Sequence, residues 1–339
     1  MLIEAAFEEY ISPQIYKVKH NLFLVQFKVM KTLPAYKIIK NGLERKEINN
    51  DTLIIDTSSG TFALGLALVC HHFGLKLQII TDPAMDKRLK ARIEDLGANI
   101  IVVKEPDDKG NFQQKRLKVV KDIINLNPNT FWCNQYDNNQ NMNAYEDLAN
   151  LIAKEIGTDI FLVGSVGSGG STSGTIKYLR NMNPYIKMIA VDTFGSVLFG
   201  LPDAKRQLRG LGNSILPKNL KHNLYDEVHW ISARLAYKWT RDLHRQFGIF
   251  SGGTTGASFG IANYLSSLEP HKTFVFIGPD DGTRYMDTIY NDEWLKQNNL
   301  EFPPQFNVLP EEIKASDIPS CNNLDWAFTN WNRREVEIG

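Results

Sequence analysis

The hydrophobic positions of the chain form short apolar runs separated by longer segments with helical spacing. Segments such as FALGLALVCHHF (62–73) and QKRLKVVKDII (114–124) place apolar residues three and four apart, which predicts helices. Strands that alternate with helices indicate parallel βαβ units, and strands that are apolar throughout need cover on both faces. The pattern therefore predicts two three-layer α/β/α domains with mainly parallel sheets. The runs that predict strands, rich in β-branched and aromatic residues, are 22–27, 52–56, 77–82, 99–103, 161–164, 188–192 and 273–278.

The spacing of these strands divides the chain into regions. Residues 45–155 contain three predicted strands in quick succession and are expected to form a smaller, mobile α/β domain. Residues 1–44 and 156–300 are expected to form the larger domain. Within it, residues 200–230 are rich in Gly, Pro and Asn, which predicts irregular structure. Residues 301–339 contain four prolines and little periodicity, so we expect an extension that wraps the surface or covers a cleft.

Composition and charge exclude several classes of protein. Lys and Arg together number 38, as do Asp and Glu, so no charge excess points to nucleic acid or to an anionic membrane. No apolar run is long enough to span a bilayer, and MLIEAAFEEYIS carries acids where a signal peptide would be basic. Cys70, Cys133 and Cys321 form no CxxC pair, which fits a reducing, cytoplasmic compartment. The histidines show no zinc-ligand spacing, so we expect no metal site.

A glycine-rich turn interrupts the segment FLVGSVGSGGSTSGTIKYL (161–179). It matches neither a Walker A loop, because no Gly-Lys pair follows, nor GxGxxG, because Thr172 stands at the sixth position. What remains is a strand, the turn Gly167-Ser168-Gly169-Gly170-Ser171 and a helix. Bare backbone at a helix start binds phosphate well, which favours a phosphate that stays attached to a cofactor. A flexible turn with a serine cap would give the same segment.

Two further segments repeat the order of strand, small polar turn and helix. They are DTSSGTFALGLA (56–67) and GIFSGGTTGASFGIA (248–262). Ordinary helix capping explains each one taken alone. Three such helix starts in one α/β chain favour a shared ligand crevice.

Together these segments resemble the fold type II pyridoxal-phosphate (PLP) enzymes of the cysteine synthase family. In the family's order, Ser58-Ser59-Gly60-Thr61 corresponds to the loop that binds the substrate carboxylate. Gly167–Ser171 corresponds to the loop that binds the cofactor phosphate, and PDDGTRY (279–285) to the stretch beside the pyridine nitrogen. The resemblance covers roughly residues 20–297. It implies PLP as cofactor, a small amino-acid substrate, β-replacement chemistry and a homodimer.

The resemblance also implies a lysine that forms a Schiff base with the cofactor. Alignment on Pro34 and Ala35 places Lys31 at that position, with Lys37 as the second candidate. Lys31 stands among apolar residues, and an amine in such company loses its proton more easily and becomes a better nucleophile. A solvent-facing charge is the ordinary role of a lysine.

The chain departs from the family pattern at three places. The Asn-Pro-Gly-Gly-Ser before the lysine is missing, and Thr61 stands where the family has the asparagine beside the ring hydroxyl. Asp281 replaces a residue that is Ser or Arg in many relatives. A carboxylate beside the pyridine nitrogen would keep it protonated and allow quinonoid chemistry, such as racemisation, decarboxylation or Cα–Cβ cleavage. Alternatively, Asp281 faces solvent and Thr254 contacts the nitrogen.

Three functions follow from these observations. The first is β-replacement on O-phosphoserine or a similar β-activated serine by an amine or another nucleophile, giving a non-proteinogenic amino acid. VDTFGSVLFG (191–200), RGLGNSILP (209–217), NQY (134–136) and YNDEWL (290–295) resemble a siderophore-pathway branch of the family with this chemistry. The second is a PLP enzyme that exploits Asp281. The third, from another class, is a catalytically weak relative that binds an amino acid or a partner protein as a sensor.

Overall fold

A computed structural model describes residues 6–108, 110–208, 210–302, 308–320 and 324–334 of the chain. The strands within these residues are β1 (Gln14–Lys19), β2 (Leu22–Gln26), β3 (Leu53–Thr57), β4 (Lys76–Thr81), β5 (Asn99–Val102), β6 (Thr130–Trp132), β7 (Ile160–Ser165), β8 (Lys187–Thr193), β9 (Glu227–Ile231), β10 (Thr273–Gly278), β11 (Glu311–Glu312) and β12 (Trp326–Asn330). The helices are α1 (Glu8–Ile11), α2 (Thr32–Glu44), α3 (Thr61–Phe73), α4 (Lys87–Asp95), α5 (Phe112–Leu126), α6 (Asn139–Asn143), α7 (Glu146–Glu155), α8 (Gly170–Met182), α9 (Ala233–Phe247), α10 (Gly253–Leu268) and α11 (Asp292–Gln297). No helix of this described part is long and apolar enough to cross a membrane.

The chain divides into two compact units. The smaller unit comprises the described residues up to Ser12 together with Val29–Ala144, and the larger unit comprises Pro13–Lys28 and the described residues from Tyr145 onward. The expected boundaries, 45 and 155, differ from these. The first boundary differs because α2 packs against α3 and α6 and shares an apolar core with α3, so the segment that carries Lys31 belongs to the smaller unit.

The smaller unit is built on a four-stranded, fully parallel sheet in the order β5-β4-β3-β6. Successive strand residues face opposite sides, as period-two geometry requires. Ile54 and Ile79 join the core that contains α2 and α3, whereas Ile55 and Ile80 pack with Val120 of α5. Both faces are therefore covered by helices, and β6, a strand of three residues that the apolar pattern did not predict, completes the sheet.

The larger unit is built on an eight-stranded sheet in the order β1-β2-β10-β7-β8-β9-β12-β11. The central pairings are parallel, while β1 pairs antiparallel with β2, and β12 pairs antiparallel with β9. The prediction of an α/β fold with mainly parallel sheets is confirmed. The C-terminal extension was expected to wrap the surface or cover a cleft, but β12 enters the sheet between β9 and β11. Residues 303–307, 321–323 and 335–339 of that extension, Cys321 included, lie outside the described residues.

Candidate active site

Lys31 stands at the residue before the first turn of α2, in the smaller unit. Its neighbours in sequence, Val29, Met30 and Leu33, are buried. Burial lowers the pKa of the Lys31 amine from 10.5 to about 8, because an ammonium ion is poorly solvated there. The unprotonated amine, which is the nucleophilic form, is therefore accessible close to neutral pH. Lys37, the second candidate, is half-buried one to two turns further along α2.

A glycine of α3 fixes the backbone at Lys31. A Cβ atom added at Gly65 would lie 2.7 Å from the carbonyl oxygen of Lys31 and 2.9 Å from the backbone nitrogen of Thr32. These distances are shorter than real Cβ contacts, so α3 can approach the start of α2 this closely only because position 65 is glycine.

The predicted carboxylate-binding residues form the turn between β3 and α3. The backbone nitrogen of Ser58 donates to the carbonyl oxygen of Ile80 at 3.1 Å, and the Ser58 hydroxyl accepts from the backbone nitrogen of Gly60 at 3.1 Å. Gly60 is the cap residue of α3, which begins at Thr61. Ser59 is half-buried within the same turn. The structure thus gathers the predicted residues at a helix start, where free backbone N–H groups favour a carboxylate.

The sequence did not point to a buried charged cluster near this turn. Arg116 of α5 is 6% exposed, and its Nε lies 3.4 Å from a carboxylate oxygen of Asp82, which follows β4. Among the described residues, the Nη1 atom of Arg116 has no hydrogen-bond partner. Burial raises the pKa of the Tyr136 phenol, and the charge of Arg116 opposes that rise. A buried guanidinium whose Nη1 atom has no hydrogen-bond partner can donate to an anionic ligand.

Asp56, at the end of β3, organises the turn that carries Tyr136. One carboxylate oxygen accepts from the backbone nitrogen of Thr57 at 2.6 Å, and the other accepts from the backbone nitrogen of Gln135 at 3.2 Å. The Gln135 side chain returns a bond to the carbonyl oxygen of Thr57 at 3.0 Å. Burial raises the pKa of Asp56 to about 7. The hydrogen bonds and the positive charge of Arg116 oppose this rise, because they stabilise the carboxylate. The stretch NQY (134–136) is therefore held by a buried acid.

The glycine-rich turn lies in the larger unit, between β7 and α8. Gly169 has φ +77°, a conformation that glycine adopts without strain, and it caps α8. A Cβ atom at Gly169 would lie 2.6 Å from the Cα atom of Leu220, so the turn is also closely packed. Ser168 and Ser171 are buried beside it. The predicted residues Gly167–Ser171 thus span the end of the turn and the first two residues of α8, at the N-terminus of an α-helix.

A second segment supports this turn from within the stretch predicted as irregular, 200–230. Gly212 donates its backbone N–H to the carbonyl oxygen of Val166 at 2.8 Å, and Asn213 donates its side-chain amide to the carbonyl oxygen of Gly167 at 3.3 Å. Asn213 was not singled out from the sequence, although it lies in the quoted stretch RGLGNSILP. The described residues of this stretch are irregular up to residue 221, and a short 3-10 turn (His222–Leu224) and β9 follow.

The third predicted helix start carries Thr254, and Asp281 pairs with Ser251, which lies just before that helix. Thr254 is buried in the first turn of α10. Asp281 is half-buried, pairs with Ser251 in an isolated antiparallel bridge, and accepts from the backbone nitrogen of Thr283 at 2.9 Å. One oxygen of Asp281 therefore serves its own turn, so only part of the carboxylate is left for a ligand.

Asp280, the neighbour of Asp281, is the more deeply buried acid. It accepts from the Tyr285 hydroxyl at 2.7 Å, and Arg284 lies 3.8 Å away. Burial raises the pKa of Asp280 to about 6. Its other oxygen and the Ser251 hydroxyl are buried without a hydrogen-bond partner in the described part of the chain. Gly252 keeps this place open, because a Cβ atom there would overlap Asp280.

Each unit by itself carries groups that suit one part of a cofactor with a phosphate, an aldehyde and a ring nitrogen. The larger unit offers a bare-backbone helix start with two buried serines, and buried hydroxyls at the start of α10. The smaller unit offers an amine of lowered pKa. An α/β fold with these groups defines a class of enzyme that uses a phosphorylated aldehyde cofactor.

Comparison with known proteins identifies the family. Residues 21–280 match the family described as pyridoxal-phosphate dependent enzyme, and the chain belongs to that family. Its cofactor is pyridoxal phosphate, and its fold is that of the cysteine synthase-like, fold type II members.

Solved structures of such enzymes superimpose on most of the chain. One is an O-acetylserine dependent cystathionine β-synthase from Helicobacter pylori, 25% identical, covering 86% of this chain and 100% of its own, with a TM-score of 0.78. Another is O-acetylserine sulfhydrylase isoform 3 from Entamoeba histolytica, which is 22% identical. The match covers 89% of this chain and 97% of that protein, with a TM-score of 0.78. A third is a hydrogen sulfide-producing enzyme from Fusobacterium nucleatum, which is 23% identical. The match covers 84% of this chain and 100% of that protein, with a TM-score of 0.77.

Proposed function

We propose that this enzyme catalyses β-replacement on O-phosphoserine or a similar β-activated serine, with the amine of a second amino acid as nucleophile. The product is a non-proteinogenic amino acid, as for N-(2-amino-2-carboxyethyl)-L-glutamate synthases of siderophore pathways, which the quoted stretches resemble. The observation that carries the proposal is the buried Lys31 amine with a pKa of about 8. Such an amine can bind an aldehyde and, once released, remove a proton from carbon.

Each group has a proposed role. Bound pyridoxal phosphate supplies an aldehyde and an electron sink for the negative charge that develops at the substrate Cα atom. Lys31 would hold the aldehyde, and its Nζ atom would take and hold the α-proton. Gly167–Ser171 bind the phosphate through backbone N–H groups and serine hydroxyls. Thr254 and Asp281 would hold the pyridine ring, and Thr61 would bond to the ring hydroxyl.

The turn between β3 and α3 is proposed to orient the substrate. Ser58, Ser59, Gly60 and Thr61 hold its carboxylate at the start of α3, so the Cα–H bond keeps one orientation. The Ser58 hydroxyl already accepts from Gly60, so its geometry is set before the substrate binds.

Arg116 supports an anionic second substrate. Its Nη1 atom is buried and lacks a hydrogen-bond partner among the described residues, although Asp82 lies close by. A carboxylate of an amino-acid nucleophile would pair with this guanidinium. Sulfide, the small nucleophile of sulfhydrylases, would leave the Nη1 atom of Arg116 without a hydrogen-bond partner, which disfavours sulfide as the preferred nucleophile.

Product analysis tests the proposal. Purified holoenzyme is incubated with O-phosphoserine, O-acetylserine or serine, each with sulfide or with a panel of acidic and neutral amino acids, and the products are identified by mass spectrometry. We expect a secondary amine that joins the serine carbons to an acidic amino acid. Cysteine as the preferred product would contradict the proposed nucleophile, and loss of the α-proton without any replacement would contradict β-replacement.

We also propose that the enzyme is a cytoplasmic homodimer. The resemblance to the cysteine synthase family, the balanced charge and the sparse cysteines support this assignment. Sedimentation analysis of the holoenzyme would test the dimer.

A further inference from the structure

Tyr225 carries a buried hydroxyl that contacts the first turn of α8. The side chain is fully buried, and its oxygen lies 2.6 Å from the hydroxyl of Thr172 and 3.2 Å from that of Ser173. Both residues follow the glycine-rich turn directly. The phenol is thus placed one helical turn behind the backbone N–H groups assigned to the phosphate.

The direction of these hydrogen bonds follows from counting protons. Each hydroxyl has one proton to donate. Thr172 donates its own to the carbonyl oxygen of Gly169 at 3.3 Å, and Ser173 accepts from the backbone nitrogen of Lys221 at 3.2 Å. Tyr225 therefore donates to Thr172 and accepts from Ser173. The result is a directed chain of hydroxyls that ends on the Gly169 carbonyl.

The Gly169 carbonyl determines where the next N–H group points. It also accepts from the backbone nitrogen of Ser173 at 2.8 Å, so it is held by two donors. In a trans peptide the C=O and the following N–H point in opposite directions. Holding this carbonyl toward the helix therefore aims the N–H of Gly170 away from it, toward the end where an anion binds.

We propose that Tyr225 is a positioning residue that holds the turn Gly167–Ser171 in its phosphate-binding form through Thr172. The inference rests on the assignment of this turn to the cofactor phosphate. Leu220 supports the same turn, since its backbone packs against Gly169. Residues 217–225, predicted only as irregular, thus form an outer support for the anion site.

The hydroxyl can be separated from the ring by a conservative substitution. The Tyr225 ring packs edge-on against Phe199, with ring centroids 5.2 Å apart, and phenylalanine would keep this contact. Tyr225→Phe would remove the hydroxyl alone, that is, the donor to Thr172 and the acceptor for Ser173. Tyr145 provides the matched control, because it is equally buried and its hydroxyl has no hydrogen-bond partner in the described residues.

The test compares pyridoxal phosphate with pyridoxal, which lacks the phosphate. Dissociation constants of both are measured on the apoenzyme by absorbance titration for wild type, Tyr225→Phe and Tyr145→Phe. We expect Tyr225→Phe to weaken pyridoxal phosphate binding about tenfold, in line with one lost buried hydrogen bond, and to leave pyridoxal binding unchanged. Tyr145→Phe should change neither constant.

A second variant keeps the test decisive if Tyr225→Phe folds poorly. Thr172→Val breaks the same chain of hydroxyls one bond later, so it should weaken the binding of pyridoxal phosphate by a similar factor. The double variant should bind only slightly more weakly than either single variant. Equal loss for pyridoxal and its phosphate would indicate general damage and overturn the proposal, as would unchanged affinity in both single variants.

Failure of the underlying assignment has a different signature. If Ser171→Ala leaves the preference for pyridoxal phosphate over pyridoxal intact, the turn is not the phosphate site. If Ser171→Ala abolishes that preference while Tyr225→Phe does not alter it, only the role of Tyr225 is refuted.

Discussion

Lys31 combines a buried setting with a position at the very start of a helix. Because its pKa is about 8, the amine is mostly protonated at pH 7 and mostly unprotonated at pH 9. The rate at which apoenzyme takes up pyridoxal phosphate should therefore rise with pH to a plateau, with its midpoint near 8. Stopped-flow absorbance measures this rate, and a midpoint near the ordinary lysine value of 10.5 would contradict the assignment.

Lys37 provides the control for this prediction. It lies on the same helix and is half-buried, yet it is not assigned to the cofactor. Lys37→Ala should keep the pH profile and the visible absorption band. Lys31→Ala should lose the band, and borohydride reduction should then trap no cofactor on the chain.

At the scale of elements, the proposed ligand-binding groups lie where a strand or turn leads into a helix. Ser58 follows β3, the glycine-rich turn follows β7, and Thr254 lies in the first turn of α10. This placement uses helix N-termini for anions, and it depends on how closely neighbouring helices pack. Glycines at the helix contacts set that distance.

Gly65→Ala should displace the start of α2. The new methyl group would collide with backbone atoms of Lys31 and Thr32, and overpacking of this kind costs about 1–3 kcal/mol. We expect a changed pH midpoint for cofactor uptake and about tenfold lower activity, both measured as above. Gly260→Ala is the control, since it overpacks α10 against Trp239 in the larger unit. It should lower stability without moving the midpoint.

Asp56→Asn should disturb the turn 134–136. An amide can accept at one oxygen only, so either Thr57 or Gln135 would lose its acceptor. We expect KM for the amine nucleophile to rise about tenfold, and by more than KM for the serine derivative. Steady-state kinetics with each substrate varied in turn measures both constants.

Asp192→Asn is the matched control for Asp56. Asp192 is also a buried acid near the end of a strand, with a pKa raised to about 7 by burial and a bond from the backbone nitrogen of Thr193. It belongs to the larger unit. An equal rise of the nucleophile KM in Asp192→Asn would show that any buried acid matters and would remove the specific role of Asp56.

The sequence predicted the elements that carry a strong local pattern. Seven apolar runs became seven strands, and the helices at 62–73 and 114–124 formed within a few residues of their predicted bounds. β6 has only three residues, too few for a clear apolar run. In β9 (EVHWI), the polar residues Glu227 and His229, which bond to each other, interrupt the apolar run. Their burial depends on distant partners, which a local pattern does not record.

The candidate site could likewise be predicted only where the sequence carries a strong local pattern. Glycine and serine turns at 58–61 and 167–171 carry a local signature, and the structure forms both at helix starts. Arg116 stands among other charged residues of α5, so its burial depends on the fold. Tyr225 likewise becomes informative only when Thr172 lies beside it.

At the scale of the whole molecule, residues near both ends of the chain complete one sheet. β12 lies between β9 and β11, with Trp326 and Ala327 almost fully buried. Ala327→Asp would place a charge in that interior and should lower the free energy of unfolding of the larger unit by about 3 kcal/mol or more. Asn330→Lys, which places a charge at an exposed position of the same strand beside Glu312, should have little effect. Urea denaturation measures the free energy of unfolding of both variants. Equal values for the two variants would contradict a structural role for β12.

The order of strands in the larger sheet has a consequence for synthesis. Because β1 and β2 precede β12 in the chain, they leave the ribosome before β12, which their sheet also needs. The segment Val29–Ala144 is continuous and can fold while the rest is still being made. A nascent chain of this enzyme therefore carries one finished body and one open sheet with a bare β9 edge, the state in which chaperone protection matters most.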